Sequence, residues 1–330
     1  MMPRKKSARI TRKKQKQATN HTNPCIKPEL SVIIASYNSK RTIADCLQSL
    51  RGQTAAGKFE VIVVDSSSDG TAAEVARRFP EAAVMSFPER KYPGDARNAG
   101  IAQARADIVA SIDADCIAGK DWVEEILAAH ESAALVIGGS IGNANPGGVS
   151  WAAYFCEFTE WMPGAPRRWL TNMATANISY KKSVFQKYGR FIEGTYGSDT
   201  DFNWRLGRAG HRVLWVPEIK VTHQSIDDFG AFLRHEFHHG MDCARMRIGS
   251  QNFSRLRRWF YAVCFALIPV KLLAFIAARN VRHRIYLRQF AAALPLVVLG
   301  LYAWALGELV AYLPGAPASR RQHNRVKTNS

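Results

Sequence analysis

From residue 31 onward, short runs of consecutive apolar residues alternate with stretches whose apolar positions recur at helical spacing. "SVIIAS" is apolar on both faces and predicts a buried strand. Residues 41–51 follow with Ile43, Leu47 and Leu50 on one helical face. The alternation continues through "FEVIVVDS" and "DGTAAEVARRF", "AAVMSF" and "GDARNAGIAQARA", then "DIVASIDAD" and a helix over roughly 120–130. Strands and helices taking turns in this way predict an α/β unit with a mostly parallel sheet covered on both faces. Beyond it the pattern loosens. Residues 134–141 and 174–180 read as strands, with "WMPGAPRRW" as a loop between them. "TDFNWRLGRAG" reads as a short helix ended by Gly210, and "HRVLWVPEIKVTH" as one or two strands.

Two apolar segments close the pattern, "WFYAVCFALIPVKLLAFIAA" (259–278) and "FAAALPLVVLGLYAWALGELVAYL" (290–313). Each is long enough to cross a bilayer, which takes about 20 residues. Their flanks conflict with simple spanning: "RLRR", "RNVRHRIYLR" and "RRQHNRVK" would place basic loops on both sides of the membrane. Pro269 and Pro295 interrupt the segments, and Lys271 lies inside the first. Spanning helices and kinked, interfacial helices that keep every basic cluster on the cytosolic side both remain open.

Charge sharpens this picture. The net charge of +18 is carried by the ends. Residues 1–20 hold eight Lys/Arg and no acid, and residues 245–330 hold fourteen against the single Glu308, which leaves 21–244 mildly acidic. No finger spacing, RNA-binding sheet signature or basic recognition helix is present, so nucleic acid is not the expected partner. Basic ends beside apolar segments point to an anionic membrane surface. The six cysteines form no C-x-x-C pair and read as reduced thiols of a cytosolic compartment. The expected organisation is a basic disordered arm (1–28), a catalytic domain (29–225), an amphipathic lid or docking region (226–258), two hydrophobic membrane segments (259–315) and a basic tail (316–330).

Polar clusters sit where the predicted strands end. "SYN" (36–38) follows the first, "DSSSDGT" (65–71) the second and "DAD" (113–115) the fourth, while Arg97 opens a helix behind "YPGDAR". Open α/β sheets bind ligands beyond these carboxyl ends. Asp113 and Asp115 suit a hard divalent cation that keeps positions open for phosphate oxygens. Neither a P-loop nor a G-x-G-x-x-G occurs, so an acidic loop would need a bridging cation to receive a diphosphate.

Together, and in order, "SVIIASYN", "VIVVDSSSDGT", "ARNAGIAQARADIVASIDADC" and "GSDTDFNWRLGRAGHRV" resemble glycosyltransferase family 2, with the GT-A nucleotide-diphospho-sugar fold. The resemblance covers residues 30 to 225. It implies that Ser36 and Tyr37 border the base pocket, that Asp65 hydrogen-bonds the base, and that Arg97 helps hold the nucleotide. It places Asp113 near the ribose and Asp115 on Mg2+ or Mn2+ at the diphosphate, with His223 able to approach that metal. Asp199 falls where the family has its catalytic base, and Asn177 where it lines the acceptor or sugar side. Asp201 falls beside the base, where capping the following helix is the plainer role. The implied reaction is an inverting, single-displacement transfer from a nucleotide-sugar, of UDP type, to a hydroxyl on a lipid or lipid-linked glycan. It would run at the cytosolic face of the inner membrane. Ser198 replaces a frequent Glu, which bears on acceptor recognition, and the Q-x-x-R-W motif of processive relatives is absent.

One motif stands outside this reading. "RHEFHHG" (234–240) contains H-E-x-x-H, the pattern of zinc hydrolases, with His235 and His239 one helical turn apart. A membrane-associated zinc protease built on His235, Glu236 and His239 is the alternative, but it needs a third ligand. Downstream, Asp242 is too close, Glu308 lies in an apolar segment, and only His283 is left. The expected role of Arg234, His235, His238 and His239 is therefore a lid over the leaving diphosphate or a membrane-docking face.

Overall fold

The computed structural model describes residues 27–313, so the basic tail and nearly all of the basic arm lie outside the described residues. The first half follows the sequence pattern closely. Strands β1 (Leu30–Ser36), β2 (Phe59–Asp65), β3 (Ala83–Ser86) and β4 (Ile108–Ile112) alternate with helices α1 (Ile43–Arg51), α2 (Thr71–Arg78) and α3 (Pro93–Gln103). All pair in parallel, in the spatial order β3-β2-β1-β4. Chain order reverses at β1: two strands are laid down on one side before β4 joins the other. That reversal opens a crevice at the carboxyl edge.

The second half is mixed. It contains β5 (Cys116–Ala118), α4 (Trp122–His130), β6 (Val136–Asn143), α5 (Gly148–Phe158), β7 (Arg168–Leu170), β8 (Asn177–Lys181), α6 (Ser183–Tyr188), α7 (Ser198–Arg208) and β9 (Val213–His223). The sheet continues β4-β8-β6-β9-β5, with β7 also on β9. β8 runs antiparallel to β4 and β6, β5 and β7 run antiparallel to β9, and β6 is parallel to β9. β9 is one strand, and its register against β6 shifts after Gly139, opposite the Pro217 region. Within "WMPGAPRRW" the structure finds the start of β7 where the sequence predicts a loop, because Arg168 and Trp169 pair with Trp215 and Leu214. Three residues joining a long strand leave no periodicity to read.

The C-terminal part is helical: α8 (Phe229–Ser250), α9 (Arg255–Val263), α10 (Leu267–His283) and α11 (Leu287–Tyr312). Asp228 caps α8, its carboxylate accepting the Ala231 N–H at 2.7 Å. Along α8, Phe232, Glu236, Gly240 and Ala244 are buried at four-residue spacing, a stripe that meets α11. α11 in turn is buried at Ala293, Val297, Leu301, Ala305, Glu308 and Tyr312, that is, along most of its length. It lies across α8 and α5 of the catalytic body. Its Glu308 pairs with Arg247 of α8 and accepts the Trp304 indole N–H. α9 and α10 face outward instead, with Leu256, Trp259, Phe260, Val263, Leu267 and Val270 all exposed.

Candidate active site

Register brings the first cluster together. Ser36 and Asp65 end β1 and β2 as direct partners, so the Ser36 hydroxyl donates to Asp65 Oδ1 at 2.6 Å. The Ser67 hydroxyl donates to the same oxygen at 2.6 Å, and the Ser67 N–H to Oδ2 at 3.2 Å. Asp65 is thereby held buried at the end of β2. Tyr37 stands exposed above it with the Arg90 guanidinium 4.3 Å over its ring. Arg90 also donates to the Tyr196 hydroxyl at 2.5 Å, and Tyr92 meets Tyr196 edge to face. Apart from Tyr37, this aromatic and arginine lip escaped the sequence reading, because its members come from three separate loops. Two of the loops close on each other tightly: a Cβ on Gly94, in "YPGDAR", would lie 2.5 Å from the Ile192 carbonyl oxygen and 2.8 Å from Ser198 Oγ.

Arg97 does not line the cleft as expected. Its buried guanidinium donates from Nη2 to Asp113 Oδ1 at 2.6 Å and from Nε to Ser111 Oγ at 3.1 Å. It stands behind Asp113 and aims that carboxylate. Asp115 is reached from the far side of the sheet. Cys116 pairs with His223 across β5 and β9, which sets His223 Nε2 3.3 Å from Asp115 Oδ1. Burial alone would depress the His223 imidazole, but Asp115, with Glu157, lifts it to about 9. Burial would lift the Asp115 carboxyl, and the imidazolium outweighs it and holds the group below its ordinary value. The other ring nitrogen of His223 lies 3.1 Å from Ser225 Oγ.

This geometry fits a divalent cation at Asp115. Its Oδ1 is buried without a proper hydrogen bond, and His223 Nε2 stands 3.3 Å from it, so a cation bound by Asp115 would meet a neutral imidazole there. Asp115 supplies the hard oxygen that Mg2+ or Mn2+ takes, and a neutral His223 would add a nitrogen that Mn2+ accepts more readily than Mg2+. Cys116 lies within the same cluster, but burial keeps its thiol protonated, so it is not a ligand of that kind.

Asp199 lies on the same edge. β8 is antiparallel to β4 with Asn177 opposite Ile112, so Thr175 extends past the strand end that carries Asp113. The Thr175 N–H and hydroxyl donate to Asp199 Oδ2 at 3.3 and 3.2 Å, and the Thr200 N–H to Oδ1 at 2.8 Å. Two residues are drawn away from it. Asp201 is buried, pairs with Arg205 at 3.0 Å and accepts the Ser250 hydroxyl at 2.7 Å, so it ties α7 to α8 and neither caps a helix nor faces an acceptor. Asn177 is buried in the sheet. It donates to the Ser140 and Ile219 carbonyls, both at 2.9 Å, and accepts the Trp122 indole at 2.8 Å, which leaves no group for a sugar.

Of the α8 histidines, two join the cleft. His235 Nε2 lies 2.8 Å from Glu157 Oε1 of α5, and His239 belongs to the same cluster. Burial would lift the Glu157 carboxyl, but His235 outweighs it and brings it down to about 2. Glu157 reciprocally raises His235 to about 9 against its own burial. Burial pushes the His239 imidazole down, and the ring packs on Trp304, centroids 4.5 Å apart. His238 points to solvent and is not part of this group. The third partner that the sequence search sought downstream is thus Glu157, 78 positions upstream of His235, in "FCEFTEW". Even so, no hydrolase results. Glu236, the residue that would activate water, sits at 0% exposure in the stripe against α11.

Residues 31–189 match the family described as Glycosyl transferase family 2. The chain belongs to that family. Glycosyltransferase AglE of Haloferax volcanii is 27% identical over 248 residues, 73% of this chain and 81% of that protein. Validoxylamine A glucosyltransferase of Streptomyces hygroscopicus subsp. jinggangensis is 34% identical over 277 residues, 72% of this chain and 62% of that protein. The chain spans only 42% of the pre-mycofactocin glycosyltransferase of Mycobacterium tuberculosis, at 27% identity. Among solved structures, the mannosyltransferase PcManGT from Pyrobaculum calidifontis, in complex with GDP-Man and Mn2+, superposes with a TM-score of 0.55. It is 18% identical, and the match covers 87% of this chain and 88% of that one. The transferase therefore has the GT-A fold, as its sequence motifs imply.

Proposed function

We propose that the enzyme transfers a sugar from a UDP-linked donor to a hydroxyl of a lipid or lipid-linked glycan, with inversion and in a single step. One observation carries this reading: Asp65 with Ser36, Asp113 with Arg97, Asp115 with His223, and Asp199 with Thr175 all meet at one carboxyl edge. The base would lie between Tyr37 and Asp65, and the diphosphate over Asp115. A cation held by Asp115 and His223, Mn2+ or Mg2+, would neutralise the leaving diphosphate. Asp199 takes the proton of the acceptor hydroxyl as its oxygen bonds to the anomeric carbon and the bond to the diphosphate breaks. The Mn2+ complex of PcManGT supports the metal, and its GDP-Man makes guanosine the base to exclude.

The membrane supports the acceptor class. Two helical stretches are long and apolar enough to cross a bilayer, Arg255–His283 and Leu287–Tyr312. α11 instead lies along the catalytic body, while α9 and α10 expose an apolar stripe flanked by Arg255, Arg257, Arg258, Lys271, Arg279 and Arg282. That combination favours interfacial insertion, with arginines at the headgroups of an anionic cytosolic leaflet. The test is donor turnover by the full chain in lipid nanodiscs, comparing UDP- and GDP-sugars with Mn2+, Mg2+ or EDTA. Release of UDP that needs metal, and that is lost in Asp199→Asn and Asp115→Ala, is the expected result. Turnover confined to GDP-sugars would reassign the base, and undiminished turnover in Asp199→Asn would remove the assigned catalytic base.

A further inference from the structure

We propose that Glu157, His235 and His239 form a second metal site, for a divalent d-block cation such as Zn2+, separate from the Asp115 position. The inference goes beyond the transfer reaction and does not rest on it. One ligand atom from each of the three residues lies within 4.8 Å of the other two. His235 and His239 project from successive turns on one face of α8, and Glu157 faces them from α5, so both supports are regular helices. Two imidazoles and one carboxylate are a donor set for Zn2+ and its neighbours rather than for Mg2+, with a fourth position left open.

The surroundings are built for a cation. His239 Nδ1 is buried without a protein partner, an unusual cost for an imidazole nitrogen. Both carboxylate oxygens of Glu236, the next residue after His235, are also buried and unpartnered. Among the described residues no Lys or Arg forms an ion pair with Glu157 or Glu236. Glu157 is therefore left with imidazoles as its cationic partners. Trp304 of α11 backs the His239 ring and fixes its direction.

A cation here would pin α8 to α5. The far end of α8 is already tied to α7 through Ser250 and Asp201, two positions from Asp199. The metal would thus fix the helix that walls the acceptor side of the cleft. It would not create a protease, since Glu236 faces α11.

The experiment is a Co2+ titration of the chelator-stripped full chain in detergent, read by the visible d–d absorption of bound Co2+. In Asp115→Ala, one equivalent of Co2+ should still give an intense low-symmetry band. That band should disappear in Glu157→Gln and in His239→Gln, each checked for a cooperative melt in chelator. Should His239→Gln fail to fold, His235→Gln replaces it, since that side chain is 42% exposed. The proposal is overturned if Asp115→Ala shows no band, or if Glu157→Gln and either histidine variant titrate like the parent. In that case the His235–Glu157 pair is a salt bridge complete in itself. Glycosyl transfer is read separately, so failure of either reading leaves the other standing.

Discussion

If α11 is part of the catalytic body, its glycines should be intolerant of a single methyl group. Gly307 of α11 meets α8 so closely that a Cβ there would stand 1.9 Å from the Phe237 carbonyl oxygen and 2.9 Å from the Met241 nitrogen. Gly240 of α8 makes the reciprocal approach, its Cβ falling 2.2 Å from the Trp304 carbonyl oxygen. These neighbours are backbone and cannot rotate away. Ordinary carbon–oxygen contact needs about 3.4 Å, so Gly307→Ala must part the helices locally by roughly 1.5 Å. A gap of 0.5 to 1 Å already forfeits about a quarter to a half of each dispersion contact, and overpacking of this kind costs about 1–3 kcal/mol or more. At roughly 2–4 °C per kcal/mol, Tm should fall by about 2–12 °C. The control is Gly207→Ala, inside α7 with nothing within 4 Å of its Cβ. It should raise stability by about 0.5–1 kcal/mol through backbone entropy. Differential scanning fluorimetry in detergent and in nanodiscs measures both. A Tm unchanged in Gly307→Ala and Gly240→Ala would refute the reasoning, because helices that leave the body to span a bilayer would not feel those methyl groups.

Other consequences follow from the same contacts. Arg97→Lys keeps the charge but loses the fork that holds Asp113 and Ser111; donor-dependent kcat/KM should fall about tenfold to a hundredfold, by roughly 1.5–3 kcal/mol. An unaltered value would show that Asp113 aims itself. Val263→Ser with Leu267→Ser removes two side chains 75% and 65% exposed on the outward helices. Partition onto anionic vesicles should drop roughly a hundredfold, for about 3 kcal/mol of lost burial, with turnover of a soluble acceptor unchanged. Equal binding of vesicles by the variant and parent would place the membrane contact elsewhere. His130 gives a pH test: burial, with Lys181 nearby, brings it down to about 4, and its Nε2 sits 2.9 Å from Ser179 Oγ. Its unfolded value is near 6.5, so the unfolded chain binds the extra proton between those limits. The stabilisation is whole above about pH 6.5 and lost as pH falls toward 4, on the order of 3 kcal/mol. Melts from pH 7.5 to 4.5 should fall less steeply for His130→Gln than for the parent, and parallel slopes would exclude His130 as a source.

The parallel half of the sheet was legible because each of its elements carries its own periodicity. "SVIIAS" and "FEVIVVDS" need both faces buried wherever they are placed, and a helix between them forces parallel pairing. The antiparallel half was not legible to that degree. β5 and β7 have three residues each, and what makes them strands is β9, reached about a hundred residues later for β5 and about forty for β7. Likewise the apolar pattern of 290–313 shows that α11 is buried in something. Whether that something is lipid or protein depends on Gly300 and Gly307 meeting Phe232 and Phe237, which no window along the chain contains.

The site divides in the same way. Ser36, Asp65, Asp113 and Asp115 could be picked out because strand ends are marked in the sequence and the fold binds ligands there. Side chains that work from behind could not be told from side chains that touch ligand. Arg97 and Asn177 have suitable chemistry at suitable positions, and only their partners show that one aims a carboxylate while the other ties three segments of the sheet core. Glu157 is the sharpest case. In "FCEFTEW" it is an acid on a helix whose neighbours are buried, and nothing local distinguishes it from Glu160, which pairs with Arg279. Its meaning comes from α8 crossing α5 at the turn that carries His235, and that crossing is fixed by α11 packing against both. The apolar α11 is therefore also structural: by setting where α8 lies, it brings His235 and His239 to Glu157 and seats Ser250 on Asp201, two positions from Asp199.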